Sequence, residues 1–288
     1  ITLVESSSKA HRRKAQEVLQ KLIPHSGKSV RIGITGSPGA GKSTFIEAFG
    51  SYLCETGHKV AVLAIDPSST LTGGSILGDK TRMEKLARHD NSYIRPSPSG
   101  GTLGGVASKT RESMIVCEAA VFDVILVQTV GIGQSETKVR SMVDFFLLLL
   151  LPGSGDELQG IKKGSVELAD ALVINKSDGS NKELADRTKN AYEQALHLLM
   201  PVTEGWYPKV LTASSVEGSG IDDVWKLINE YTAFANDRGI FQKRRNEQMI
   251  DWLHSMIEER LKKMFYENET VSDSLNEVKE SILDGLMT

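Results

Sequence analysis

Val30-Arg31-Ile32-Gly33-Ile34-Thr35-Gly36-Ser37-Pro38-Gly39-Ala40-Gly41-Lys42-Ser43-Thr44 carries the strongest structural signal in the chain. Residues 30–34 form a short apolar run of strand length, and Gly36 to Ser43 fits the pattern G-x-x-x-x-G-K-[ST]. Residues 43–55 follow with helical spacing. Glycines in such a turn let backbone N–H groups point inward around phosphate oxygens, and the new helix N-terminus adds its dipole. The Lys42 ammonium is placed to reach the β and γ oxygens of a nucleoside triphosphate. The Ser43 hydroxyl is placed to ligate Mg²⁺, and Thr44 continues the helix.

Outward from this turn, residues 60–65, 124–127, 145–151, 171–174 and 210–211 are further apolar runs. They are apolar nearly throughout rather than alternating, as in strands buried on both faces of a parallel sheet. Helical stretches at 103–120, 182–199 and 221–234 lie between them. Strand, crossover and strand repeated this way predict an α/β fold, a doubly wound and mostly parallel sheet, over residues 29–236. Residues 1–28 are charged and helical in period and end at the breaker Pro24-His25-Ser26-Gly27, so they read as an N-terminal helical extension. Residues 237–288 begin at Asp237-Arg238-Gly239 and carry Met249, Ile250, Trp252, Leu253, Met256, Ile257, Leu261, Met264 and Phe265 at helical spacing. That stripe suits either a helix packed on its own domain or an arm buried against a second subunit.

Composition narrows the partners. The 288 residues carry 37 acidic and 34 basic side chains, a net charge of −3, and 40% are hydrophobic. This is an ordinary globular composition, and it argues against a chain built to neutralise nucleic acid. The apolar run at 145–151 falls far short of the ~20 residues of a membrane helix. Cys54 and Cys117 are the only cysteines and lie in no C-x-x-C pair, so they cannot by themselves build a four-ligand zinc site, and a reducing compartment is expected. The chain opens at Ile1, so the natural N-terminus is expected upstream.

Asn175-Lys176-Ser177-Asp178 follows the run at 171–174 and fits N-K-x-D. A carboxylate at Asp178 can accept from both N1–H and the exocyclic amine of guanine. Adenine offers an acceptor at N1 and nothing at C2, so it would leave that carboxylate unpaired. Asn175 is expected to tie this loop to the phosphate loop, with the Lys176 stem over the base. Ser214 and Ser215 follow the run at 210–211, where a last base-contacting loop belongs. The nucleotide-binding set is therefore Gly36, Gly39, Ala40, Gly41, Lys42, Ser43, Thr44, Asn175, Lys176, Asp178, Ser214 and Ser215.

Metal and hydrolysis residues are sought at strand ends, where ligands of open α/β sheets bind. Asp66 closes the run at 60–65, and Asp79 lies in Gly78-Asp79-Lys80-Thr81-Arg82. Gln128 precedes Thr129-Val130-Gly131-Ile132-Gly133-Gln134-Ser135-Glu136, whose Gly131 is positioned to donate a backbone N–H to a γ-phosphate. Loss of that contact on hydrolysis would free the loop, which is how nucleotide switches work.

Together these residues resemble the MeaB/ArgK family of P-loop GTPases, which includes the methylmalonic aciduria type A protein. The resemblance is carried by GSPGAGKSTFIEAFG at 36–50, AIDPSSTLTGGSILGDKTRM at 64–83, YIRPSPSGGTLGG at 93–105, TVGIGQSE at 129–136, GDELQGIKKG at 155–164 and INKSDG at 174–179. It implies a GTP-hydrolysing chaperone of an adenosylcobalamin-dependent acyl-CoA mutase, most directly methylmalonyl-CoA mutase. It also implies a homodimer formed by the C-terminal arm, in the cytoplasm or the mitochondrial matrix. By resemblance Lys42 and Ser43 hold phosphate and Mg²⁺, and Asp66 and Asp79 lie in switch I around the metal. Gly131 belongs to switch II, and Asp156 to Lys163 form a further loop that signals to the mutase. The family carries Glu before Thr-Val-Gly, and this chain carries Gln128. Two alternatives stand beside this reading. One is a kinase of an amino-acid transport protein, which would normally read adenine. The other is a nickel metallochaperone, which would be expected to cluster Cys and His.

Overall fold

The computed structural model describes residues 1–6, 8–65, 83–96, 103–129, 135–154 and 163–286. Their centre is a parallel sheet of seven strands in the order β3-β2-β4-β1-β5-β6-β7. The strands are β1 Val30–Gly36, β2 Val60–Ile65, β3 Ser92–Arg95, β4 Val124–Thr129, β5 Phe145–Leu150, β6 Ala171–Ile174 and β7 Lys209–Thr212. Val30 lies opposite Val124 on one side of β1, and Ile32 lies opposite Phe145 on the other. Chain order thus reverses at β1, and the turn leaving its carboxyl end opens at the point where α/β sheets bind ligands.

Side-chain alternation divides the core between the two faces. Ile32, Ile34, Leu126, Phe145 and Leu147 pack on one face with Phe45 and Phe49 of α3 (Lys42–Glu55). The helix α9 (Ile221–Asp237) covers the same face with Val224, Ile228 and Tyr231. Ile125, Val127, Phe146 and Leu148 turn the other way. They meet Met114 of α5 (Leu103–Ala119), Val139 of α6 (Ser135–Arg140) and Tyr192 of α8 (Lys182–Leu196). Full burial of each such side chain contributes roughly 1.5–3 kcal/mol before entropy is subtracted, so the continuous apolar runs are explained by two covered faces. Short helices α4 (Glu84–Ala87) and α7 (Lys163–Glu167) complete the layers.

The N-terminal segment holds α1 (Thr2–Glu5) and α2 (Lys9–Leu22). Val4, Ala15 and Leu19 pack against Ile115 and Val116 of α5. Glu5 adds polar anchors, accepting from Arg95 Nε at 2.9 Å and Ser113 Oγ at 3.3 Å. The contacts group Ile1–Arg245 into one compact unit and Asn246–Thr288 into a second. Helix α10 (Ile240–Tyr266) crosses that division, and α11 (Glu269–Leu283) is capped by Asn268, whose side chain accepts from the Val271 amide. No helix among the described residues is long and apolar enough to cross a membrane.

Several elements differ from the sequence reading. β3 has only Ile94 buried, so a short edge strand leaves little apolar signal. α6 and α7 span six and five residues, too few turns to show a helical period. β1 and β4 each run two residues further, to Gly36 and Thr129, because backbone pairing continues past the last apolar side chain.

Candidate nucleotide site

The turn after β1 is shaped by two left-handed glycines, Gly39 at φ +84° and Gly41 at φ +83°. Gly41 has a second constraint. A Cβ there would lie 2.8 Å from Asn175 Nδ2 and 3.6 Å from Lys176 Cε. The N-K-x-D loop is therefore pressed against the phosphate loop, with the Lys176 stem lying over Gly41. Gly41 is the N-cap of α3 and supplies no side-chain hydrogen bond, so the first-turn amides of the helix face the loop mouth without a side-chain cap. An oxyanion is the natural acceptor for such groups.

Lys42 Nζ donates to Gly36 O at 2.7 Å and Ser37 O at 3.1 Å. Two of its three protons are thereby used. Burial lowers the Lys42 pKa from its ordinary value, and the nearby Glu136 carboxylate opposes that fall. A bound polyphosphate would add negative charge where the ammonium is poorly solvated.

The base-side loop is braced by a chain of short contacts. Asn175 Nδ2 donates to Ala40 O at 2.9 Å, and Ser215 Oγ donates to Asn175 Oδ1 at 2.7 Å. Ser214 Oγ donates to Asp178 Oδ2 at 2.6 Å while accepting from the Glu217 amide at 3.1 Å. Ser214 is fully buried. Its single proton is thus committed to one carboxylate oxygen of Asp178, whose remaining lone pairs can still accept from a ligand. Ser214 and Ser215 act on the two motif side chains rather than standing at the site by themselves. Their positions after β7 are legible in sequence, but their partners are not. Lys176 adopts φ +60°, an uncommon conformation for a non-glycine residue that needs such bracing.

At the carboxyl end of β4, Gln128 is 6% exposed, and its Nε2 donates to Ser43 Oγ at 3.4 Å. Its Oε1 is buried and has no partner among the described residues. Leaving such a carbonyl unpaired costs about 1–3 kcal/mol. Below it, Thr129 Oγ1 donates to Thr35 Oγ1 at 2.8 Å and joins the ends of β4 and β1. A hydroxyl beside an orphaned acceptor fits a hydrated Mg²⁺, which takes few protein ligands and keeps several waters. Asp66, Asp79 and Gly131 lie outside the described residues, as does 155–162 of the expected signalling loop; Lys163 opens α7. No group of three or more His, Cys, Asp or Glu that could hold a metal by itself occurs among the described residues. Burial pushes the thiol of Cys54 up to about 11 and that of Cys117 up to about 12, so neither is a ready nucleophile.

A parallel sheet with a phosphate-binding loop at its switch point and an N-K-x-D loop braced against it defines a P-loop GTPase. The chain belongs to the family described as methylmalonyl Co-A mutase-associated GTPase MeaB, whose model matches residues 1–270. It is 49% identical over 269 residues to the GTPase ArgK of Escherichia coli, covering 93% of this chain and 81% of that one. It is 44% identical over 298 aligned residues to the mitochondrial methylmalonic aciduria type A homolog of Mus musculus, covering 100% and 72%. A solved structure described as LAO/AO transport system kinase superposes with a TM-score of 0.79 at 39% identity, covering 100% and 86%.

Proposed function

We propose that this GTPase is a chaperone of an adenosylcobalamin-dependent acyl-CoA mutase, methylmalonyl-CoA mutase being the first candidate. GTP binding and hydrolysis would gate delivery of intact cofactor and removal of damaged cobalamin. The observation that carries the reading is the family match over residues 1–270, described by its association with that mutase. Identity with the mouse methylmalonic aciduria type A homolog supports it.

In this reading the α3 amides and Lys42 hold the phosphates. Asp178, fixed by Ser214, pairs with guanine, and the Lys176 stem covers the base. Ser43 and Gln128 face Mg²⁺, which when bound neutralises phosphate charge; Asp66 and Asp79 are its proposed carboxylates and Gly131 the γ-phosphate sensor. Met249, Leu253, Met256, Ile257, Leu261 and Met264 are exposed in the single chain. A second copy covering that stripe would make a homodimer, with residues 1–28 and 237–288 as helical additions to the catalytic domain. Cytoplasm or mitochondrial matrix suits the function.

The names ArgK and LAO/AO transport system kinase favour a second reading, phosphorylation of a transport protein. The N-K-x-D loop braced against the phosphate loop supports the first, through the guanine pairing proposed for Asp178. The test is size-exclusion chromatography with B12-loaded methylmalonyl-CoA mutase, with and without a non-hydrolysable GTP analogue, alongside GTP and ATP turnover. A nucleotide-dependent complex and mutase-stimulated GTP turnover are expected. Absence of any complex, with phosphate transferred to protein from ATP, would establish the kinase instead.

A further inference from the structure

A groove of about 580 Å³ lies between α6, α7 and the turn that follows α8, all within the compact unit Ile1–Arg245. Leu168, Leu199, Met200 and Val202 give it apolar walls, and Glu136 and Glu167 give it two carboxylates. No lysine, arginine or histidine is among its described lining residues. Met200 is 93% exposed, and Leu198 in the same turn is 87% exposed. Apolar side chains scattered singly on a surface need no explanation, but a cluster at the mouth of a concavity marks a binding face. The volume alone would suit a small molecule, yet walls this open cannot bury one as such sites do. A protein segment can cover the groove and the apolar turn beyond it together.

Charge selects the occupant. A lysine or arginine can lay its methylenes along Leu168 and Leu199 while its charged head reaches a carboxylate. An acidic segment would instead meet two like charges. The α11 helix of a second copy, with Asp273, Glu277 and Glu280 in its sequence, is therefore a poor fit, and the α10 stripe is already given to the dimer contact proposed above. Helix α6 ties the groove to the nucleotide. It starts at Ser135, directly after residues 130–134, and its Glu136 is buried and acts electrostatically on Lys42 of the phosphate loop. At its other end Arg140 is clamped to Asp170 by hydrogen bonds of 2.7 and 3.1 Å. A change at the phosphates is thus taken up in the first turn of α6, where Glu136 and Thr137 line the groove. We propose that this groove docks a basic, apolar segment of a partner protein, its lysine or arginine paired with Glu136 and Glu167, and that the bound nucleotide alters the fit through the first turn of α6. This role needs only the GTPase class and not the identity of the partner.

The test is fluorescence anisotropy of a labelled synthetic peptide of leucine and lysine, titrated with the full chain loaded with GDP or with a non-hydrolysable GTP analogue. A peptide with glutamate in place of each lysine is the control. The lysine peptide should bind about tenfold or more tightly than its glutamate counterpart, and its affinity should differ about fivefold or more between the two nucleotide states. Met200→Asp and Glu167→Lys, both at exposed positions, should each weaken it about tenfold while GDP affinity keeps its native value. Native peptide affinity in both variants, or equal affinity in the two nucleotide states, overturns the proposal. A fall in mass by light scattering on either substitution would assign the groove to a second copy and overturn it as well. Because the probe is a peptide, absence of a complex with methylmalonyl-CoA mutase would defeat the chaperone reading and leave this result standing.

Discussion

Replacing Asp178 by Asn tests whether the braced carboxylate reads guanine. Ser214 gives its only proton to Asp178 Oδ2 at 2.6 Å, since the carboxylate can only accept, and one of its lone pairs accepts from the Glu217 amide at 3.1 Å. An asparagine would turn its carbonyl toward that fixed donor and its NH₂ toward the base. There it would meet N1–H and the exocyclic amine of guanine, a donor set against donors. The loss is at least one charge-assisted hydrogen bond, worth about 1.5–3 kcal/mol, or roughly 10- to 150-fold in affinity at 1.4 kcal/mol per decade. Xanthine carries a carbonyl where guanine carries the amine, so the same variant should gain affinity for xanthosine diphosphate. Calorimetry with GDP, xanthosine diphosphate and ADP on both proteins measures this directly. Unchanged GDP affinity, or a uniform loss across all three nucleotides, would show that Asp178 does not face the base and would remove the guanine-reading assignment.

Three further outcomes follow from other contacts. Arg245 donates to Asp144 through Nε at 2.8 Å and a terminal nitrogen at 2.7 Å, and also to the carbonyls of Gly27 and Ser29. Arg245→Ala leaves Asp144 buried without its bidentate partner, and the unfolding free energy from urea titration should fall by about 3–5 kcal/mol; a loss under about 1 kcal/mol would refute a structural role for the pair. Burial would raise the Glu118 pKa, but Arg31, Ser29 and the Gly27 amide outweigh it and hold it below the ordinary 4.5. The unfolded chain therefore binds more protons in that range, so this contribution is complete above about pH 4.5 and is lost as pH falls through the depressed value. Stability against pH should accordingly have a shallower acid limb in Glu118→Gln, and identical limbs would exclude the pair as its source. Ending the chain after Arg245 keeps both arginine clamps, Arg244 on the Asp144 carbonyl and Arg245 on its carboxylate. It should yield a monomer that still binds GDP by light scattering and nucleotide titration; an intact chain that is itself monomeric at micromolar concentration would defeat the dimer proposal.

Elements whose signal is local are legible in the order of residues alone. A strand, a G-x-x-x-x-G-K-S turn and a helix are written contiguously from Val30 to Glu55, because phosphate binding by backbone amides needs glycine torsions next to a helix start. Strands buried on both faces announce themselves as unbroken apolar runs, which is why β5 is legible from Phe145-Phe146-Leu147-Leu148-Leu149-Leu150 without any partner in view. Asn175 and Asp178 are readable as a motif for the same reason, being neighbours in one loop.

Features that depend on distant residues meeting come from the folded chain instead. Strand order is one such matter, since a parallel pair such as β1 and β4 is separated by residues 37–123 and each strand has the same apolar look. The commitment of the Ser214 proton to Asp178 and the clamp of Arg245 on Asp144 across |i−j| of 36 and 101 are others. Gln128 shows the limit most clearly. Its place at a strand end could be read, yet the contact with Ser43 exists only because β4 lies beside β1 and delivers an amide to the first turn of α3. Hydrogen-bond partnership is a property of positions in space, and a single chain of letters carries it only where sequence neighbours are also spatial ones.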